Sequence, residues 1–185
     1  MTLHLPTVAR AALLGLTTGS RSFSGLAAQV AVTPSLADRQ PERTLGGLRA
    51  KGLVPLLAAG ELVGDKLATT PSRLTPLVLA SRLALAAATA LLVARARDEE
   101  QRAGRGPTAY EQGPAEASLP PAVRPAAVPS SAYVAVPVAV AASLASAFLG
   151  HAWRGWAAHR VGRDWPGAVG EDVVALTLAA VATRP

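Results

Sequence analysis

Long apolar runs rich in Ala, Leu and Val alternate with polar segments along this chain. The runs are continuous and do not alternate residue by residue, which predicts helices and not the strands of a barrel. Five of them are long enough, or nearly so, to cross a hydrocarbon core of about 30 Å. The predicted fold is therefore an all-α polytopic transmembrane bundle. Its five spans cover about 7–33, 52–68, 75–94, 132–159 and 166–183.

The segment between the third and fourth spans differs from the rest in composition. It is rich in proline, carries charges of both signs and has few bulky apolar residues. Such a segment cannot bury enough apolar surface to hold a fixed fold. It divides the chain into a first membrane half, 1–95, a flexible cytoplasmic linker, 96–131, and a second membrane half, 132–185.

Composition supports a bilayer as the main partner. Half of the residues are hydrophobic, only 16% are charged, and there is no cysteine. The net charge of +6 does not indicate nucleic acid, because the basic residues are scattered and not interleaved with aromatics. The loop between spans one and two, the linker and the C-terminus carry most Lys and Arg residues. The positive-inside rule then predicts a multi-pass protein of the cell membrane with its N-terminus outside and its C-terminus in the cytoplasm.

The first apolar run has two interpretations. Arg10 followed by apolar residues could begin a signal peptide, but Thr17 interrupts the run too early for the usual apolar region. A retained helix is therefore favoured. Gly15 and Gly19, four residues apart, are typical of close helix approach, and Gly60 and Gly64 predict a second such stripe.

Eight ionisable residues lie within the predicted spans or at their edges, and the two signs balance. An unpaired buried charge costs far more than a paired one, so mutual pairing is expected. Glu61 and Asp65 are four residues apart and share one helical face. Arg82 is close enough to the end of its span to extend to the surface. The eight residues are Arg21, Lys66, Arg82, Arg154, Glu61, Asp65, Glu171 and Asp172.

The two halves also resemble each other. Each has an arginine-bearing helix with small residues (Arg21, Arg154) followed by a helix with a glutamate near one end (Glu61, Glu171). The pairs are offset by three spans, so they would be inverted relative to each other. Inverted repeats of this kind are frequent in transporters, with the binding site between the repeats.

The most specific motif is Gly-Glu-Leu-Val-Gly-Asp-Lys-Leu-Ala-Thr-Thr-Pro-Ser-Arg, residues 60–73. Together with Gly19-Ser20-Arg21-Ser22-Phe23 and the Glu171-Asp172 helix, it resembles domain of unknown function 4126, a family of small bacterial integral membrane proteins. The resemblance covers about 9–94 and 132–183, and the linker between them looks like an insertion. It implies a helical membrane fold but no activity, so no catalytic residue follows from it.

The leading functional hypothesis is a transporter or channel for a small ion or solute, with a charged site inside the membrane. A membrane enzyme acting on a lipid headgroup, with carboxylates holding a metal and arginines a phosphate, is the first alternative. The second is an assembly protein whose charges serve only as ion pairs. His151 and His159 could relay protons or lie at the interface. The metal, cofactor and oligomeric state stay open. The predicted binding residues are Arg21, Glu61, Asp65, Lys66, Arg73, Arg154, Glu171 and Asp172.

Overall fold

The computed structural model describes residues 6–33, 42–64, 74–105, 128–161 and 165–183, and within these ranges the chain is helical without a strand. The all-α prediction is confirmed for them. The helices are α1 (Thr7–Ser20), α2 (Ser24–Val32), α3 (Glu42–Gly46), α4 (Leu48–Gly64), α5 (Pro76–Arg105), α6 (Ala132–Val161) and α7 (Trp165–Ala182).

The first predicted span is not one helix but a helical hairpin. α1 ends at Ser20, and α2 begins at Ser24 and runs back along it. The reversal is evident at Gly25, where an added Cβ would meet the Thr18 hydroxyl and lie 3.2 Å from the Leu14 carbonyl oxygen. In a continuous helix these residues would be about 10–16 Å apart along the axis. The prediction of a single span over 7–33 is therefore wrong, and Thr7 and Val32 lie at the same end of the bundle.

α1 is the central helix and packs parallel to α6 over a run of small residues. An added Cβ at Gly15 would overlap the backbone of Ala139, and one at Gly19 would overlap the backbone of Ser143. Ala11 lies in the same contact and packs beside Ala135. Small residues every four positions on both helices let the backbones touch. The predicted role of Gly15 and Gly19 in close packing is confirmed.

α5 and α7 run antiparallel to α1. On α7, Ala182 packs in a cluster with Leu14, and Asp172 contacts Arg21 at the far end of α1. On α5, Ala90 packs near Ala11, whereas the Arg82 side chain reaches the last carbonyls of α1. α4 packs mainly against α2 and runs antiparallel to it. All the long helices therefore lie roughly along one axis.

Two helices in the described part of the chain are long and apolar enough to cross a membrane, over Pro76–Gln101 and Ala132–Ala157. The five-span prediction is not confirmed beyond these two. One reason is the hairpin, which divides the first run into helices of 14 and 9 residues. A second reason is the length of α4. Its described part has only 17 residues and ends at Gly64. α5 continues as a helix to Arg105, and 106–127 of the predicted linker lie outside the described residues.

Two further expectations about packing differ from the structure. Gly60 and Gly64 have open space where a side chain would begin, so none of the described residues packs closely against them there. The predicted inverted repeat pairs the α1–α2 hairpin with α6, which is a continuous helix of 30 residues. The two halves therefore do not share the architecture that such a repeat requires.

Candidate functional site

The α1–α2 turn, residues 19–23, forms the tip of the hairpin and is the centre of the candidate site. Arg21 is extended (φ −139, ψ 110), and its amide donates to the Thr17 carbonyl at 2.7 Å. The Ser20 hydroxyl donates to the same carbonyl at 2.9 Å. Serine and threonine side chains that bond to the backbone compete with continued helix, which is why the chain can leave the helix here. The buried tip must still satisfy its own N–H and C=O groups.

Glu61 supplies the acceptors for the start of α2. Its two carboxylate oxygens accept hydrogen bonds from the backbone amides of Ser22, at 2.7 Å, and Phe23, at 3.0 Å. Both amides lie just before α2, which begins at Ser24, and the helix dipole favours a negative charge beside this end of the helix. Glu61 thus caps α2 from a different helix and fixes the distance between α4 and the tip.

Arg82 supplies the donors for the end of α1. One guanidinium nitrogen donates to the carbonyl oxygens of Gly19, at 2.5 Å, and Ser20, at 3.0 Å. The other lies 3.5 Å from a Glu61 carboxylate oxygen. Arg82 is only 4% exposed, so the expectation that it extends to the surface is wrong. A cation at a helix C-terminus complements the dipole, and this one also neutralises the glutamate.

Asp172 and Glu171 bring α7 into the same network. Asp172 forms an ion pair with Arg21, whose side chain is 1% exposed. Glu171 lies 3.7 Å from the Nε atom of Arg154 on α6. These two pairs tie the tip to α7 and α7 to α6. Arg21 and Arg154, predicted to be binding residues, therefore have carboxylate partners on another helix.

The expected mutual pairing is confirmed for six of the eight charged residues, and the six balance as three acids and three bases. They come from every long helix around the tip and lie at one end of the bundle. Arg154, for example, is two turns, or about 10 Å, before the end of α6. We call them the tip network: Arg21, Glu61, Arg82, Arg154, Glu171 and Asp172.

Three predicted binding residues, Asp65, Lys66 and Arg73, lie outside the described residues. Both histidines of α6, His151 and His159, have exposed side chains, as the interfacial interpretation expects. Arg82 was counted among the charges but was not predicted to be a site residue. The signal that could have found it was the charge balance, because an arginine two turns inside an apolar helix needs a carboxylate partner.

A cavity of about 550 Å³ reaches the tip from the side, between α1, α6 and α7. Its walls are mainly apolar, and its polar residues are Ser20, Ser146 and Glu171. Trp153 also lines it, and its indole N–H donates to the Gly167 carbonyl at 3.2 Å, which fixes the ring. Mostly apolar cavities of this size with a few convergent polar groups are typical of small-molecule sites.

Metal binding finds no support in the parts of the chain that the structure describes. There, no three His, Cys, Asp or Glu side chains come close enough together to hold a metal ion. The carboxylates of Glu61 and Asp172 are instead used as a helix cap and as an ion-pair partner.

Comparison with known proteins adds no relative. No protein family, no curated protein and no solved structure matches this chain. The resemblance to domain of unknown function 4126 therefore stays a prediction.

Proposed function

We propose that this is an integral membrane protein that moves a small ion or solute across the bilayer, with the hairpin tip as its gate. The outer surface supports a lipid environment, because large apolar side chains project from it on several helices. Leu77 is 80% exposed, Tyr133 75% and Leu56 68%. Apolar surface this extensive is unusual for soluble proteins. The motif of residues 60–73 supports the same environment through its resemblance to domain of unknown function 4126.

The distribution of basic residues supports an orientation for this proposal. In the described segments, basic residues outside the tip network concentrate at the end of the bundle opposite the tip. Examples are Arg10, Arg49, Lys51, Arg95 and Arg97, whereas Arg160 lies at the tip end. The positive-inside rule then assigns the tip to the outer half of the membrane and both ends of the hairpin to the cytoplasmic side. In this orientation the start of α1 is on the cytoplasmic side, whereas the sequence alone predicted an N-terminus outside. The two differ because the hairpin reverses the direction of the chain.

The observation that carries the transport proposal is the way the tip is held. Its backbone is anchored by the side chains of Glu61 and Arg82, and its Arg21 side chain is held by Asp172, so residues of three other helices fix it. Irregular backbone at membrane depth is tolerated where protein buries it, and Ser20, Arg21 and Ser22 of the tip are all buried. An ionisable group buried in a membrane segment is in itself a reason to propose a functional site there.

The chemistry of the tip network suggests how such a gate opens. Protonation of Glu61, or an ion that competes for its carboxylate, removes the charge that holds the amides of Ser22 and Phe23, just before α2, and that balances Arg82. The start of α2 then loses its acceptor, and α4 is no longer tied to the tip. Motion of the tip changes access to the cavity beside Ser20. A change in the charge of the Glu61 carboxylate is thereby coupled to the position of the start of α2.

Flux measurements in proteoliposomes test this proposal. We expect the native protein to conduct protons or a monovalent cation, and Glu61→Gln, which lacks the charge that holds the tip, to raise the rate at least about tenfold, the effect of lowering the barrier by about 1.4 kcal/mol. Glu100→Gln is the matched control, since Glu100 is an exposed carboxylate paired with Arg97 on α5. Native vesicles without flux of any tested ion or solute would overturn transport. Normal flux in Glu61→Gln would remove Glu61 from the gate.

One observation favours a second candidate, an enzyme acting on lipid headgroups. The tip network lies beside Trp153 and Trp156, whose rings stack 5.1 Å apart on α6. Tryptophan is enriched where helices cross the headgroup layer, so Arg154 and Glu171 would be at that depth. Incubation of the purified protein with defined phospholipid vesicles, followed by mass spectrometry, tests it. A new headgroup product, lost in Glu171→Gln, would support the enzyme over the transporter.

A further inference from the structure

The cavity between α1, α6 and α7 offers a ligand no free charge. Its one charged lining residue, Glu171, is 8% exposed and forms an ion pair with Arg154, whose Nε atom lies 3.7 Å from a Glu171 carboxylate oxygen. An ion that enters a mostly apolar space without a partner loses its hydration without compensation. The lining therefore favours a neutral molecule over an anion or a cation.

One hydrogen-bonding side chain in the lining is available to such a molecule. Ser146 on α6 lines the cavity, and its hydroxyl makes no hydrogen bond within the described part of the chain. The other hydroxyl in the lining, that of Ser20, already donates to the Thr17 carbonyl at 2.9 Å. A hydroxyl that is away from water and has no partner gains from a ligand that supplies one. We therefore expect the ligand to carry a hydroxyl or carbonyl group that meets Ser146.

The rest of the lining fits an apolar body with an aromatic ring. Leu16, Leu149 and Leu178 contribute apolar walls. The Trp153 ring also lines the cavity and is fixed by its bond to the Gly167 carbonyl at 3.2 Å, so it presents a surface on which a ring can stack. The volume of about 550 Å³ is within the range of drug-sized ligand sites.

The cavity opens toward the surface that the proposed membrane environment covers. Two of its lining residues, Leu149 and Val174, are 66% and 58% exposed. Neutral apolar molecules leave water for the hydrocarbon of a bilayer, so they are concentrated where this opening lies. A ligand of this class can therefore enter from the lipid without crossing water.

We propose that this cavity binds a neutral aromatic molecule with one hydroxyl or carbonyl group, which places the polar group at Ser146 and a ring against Trp153. The inference goes beyond the proposed transport, because it concerns binding alone and its test needs no flux. A lipid acyl chain, the other occupant that such a lining admits, would leave the Ser146 hydroxyl unused.

Photolabelling with benzophenone tests the site in purified protein reconstituted in lipid nanodiscs. Benzophenone is neutral and aromatic, carries one carbonyl group, and on irradiation bonds covalently to a nearby C–H group. We expect saturable adducts, located by peptide mass spectrometry, on lining residues such as Leu149 and Val174. At equal concentration in the lipid, diphenylmethanol should compete about fivefold better than diphenylmethane, which lacks the hydroxyl, as one neutral hydrogen bond predicts. In Ser146→Ala this difference should vanish, whereas Ser81→Ala, which removes an exposed hydroxyl on α5, should keep it.

Two glycines supply a steric test and its control. A Cβ at Gly170 in the lining, or at Gly155 outside it, would meet no atom of the described residues within 4 Å, so either position accepts a larger side chain. Gly170→Phe should abolish saturable labelling, and Gly155→Phe should not change it. Labelling that rises without saturation, with adducts spread over lipid-facing leucines, would overturn the site, and it is the result that a resident acyl chain gives. Equal competition by the two probes in the native protein, or full labelling of Gly170→Phe, would overturn it as well.

Discussion

Replacing Asp172 by leucine should destabilise the protein by about 3–5 kcal/mol, the typical cost of removing one partner of a buried ion pair. Arg21 is 1% exposed and would remain charged in the interior after its carboxylate partner is gone. Its guanidinium cannot lose its proton to relieve this cost. Thermal unfolding of the purified variant in detergent, followed by circular dichroism, measures the effect.

The double variant Arg21→Met and Asp172→Leu should recover most of this loss, since apolar replacement of a whole buried pair is often neutral. The exposed pair Arg97–Glu100, 2.9 Å apart on α5, is the control, and Glu100→Leu should cost no more than about 1 kcal/mol. Asp172→Leu protein as stable as the native protein would show that the ion pair does not hold the tip. A double variant no better than the single one would show that Arg21 is needed for other contacts.

Gly19→Leu should prevent assembly of the bundle, and even Gly19→Ala should cost about 1–3 kcal/mol, as overpacking a close contact does. The added Cβ would overlap the carbonyl oxygen of Ser143, which is backbone and cannot rotate away. Relief requires α1 and α6 to separate, and α1 also carries the tip. The yield of monodisperse protein and its thermal transition are the measurements.

Gly155→Ala on α6 is the control for this prediction. Gly155 has open space around the position of a Cβ, so alanine there meets none of the side chains that the structure describes. Alanine also favours helix over glycine by about 1 kcal/mol, and the variant should be as stable as the native protein or slightly more so. If Gly19→Ala behaves like Gly155→Ala, the backbones of α1 and α6 do not touch.

Helix content and the mutual pairing of the buried charges were predictable from sequence because they depend on local pattern and on charge balance, whereas which residue pairs with which was not. Apolar runs 132–159 and 166–183 match α6 and α7 closely. The small residues Gly15 and Gly19 predicted a close helix contact, although not that α6 makes it. A buried arginine such as Arg21 requires a carboxylate wherever the chain folds, so pairing could be expected without knowing the topology.

The hairpin was not predictable in the same way. An apolar run over 7–33 is the right length for one span, and length gives no sign of a turn inside it. The Thr17–Ser22 segment contained the relevant information, since its small polar residues weaken the helix. What makes a turn there stable is the pair Glu61 and Arg82, which lie far away in sequence. Only the assembled fold brings them to the tip.

The role of Arg82 was missed for a related reason. Arg82 is close enough to the start of α5 for its side chain to reach the surface. The sequence does not show that the C-terminus of α1 lies beside it. Once α1 ends at Ser20, its last carbonyls need donors inside the bundle, and Arg82 supplies them. The role of Arg82 thus depends on where α1 ends, and the sequence does not show that α1 ends at Ser20.

The hairpin is the central claim, and cysteine labelling in membranes tests it most directly because the native chain has no cysteine. Single cysteines replace Thr7 at the start of α1, Thr183 just after α7 and the exposed Arg160 near the tip end. A membrane-impermeant maleimide added outside intact cells should label Arg160→Cys only, and Thr7→Cys and Thr183→Cys should react after the membrane is opened. Labelling of Thr7→Cys from the outside, with Thr183→Cys protected, would mean that residues 7–33 cross the membrane once and would contradict the hairpin.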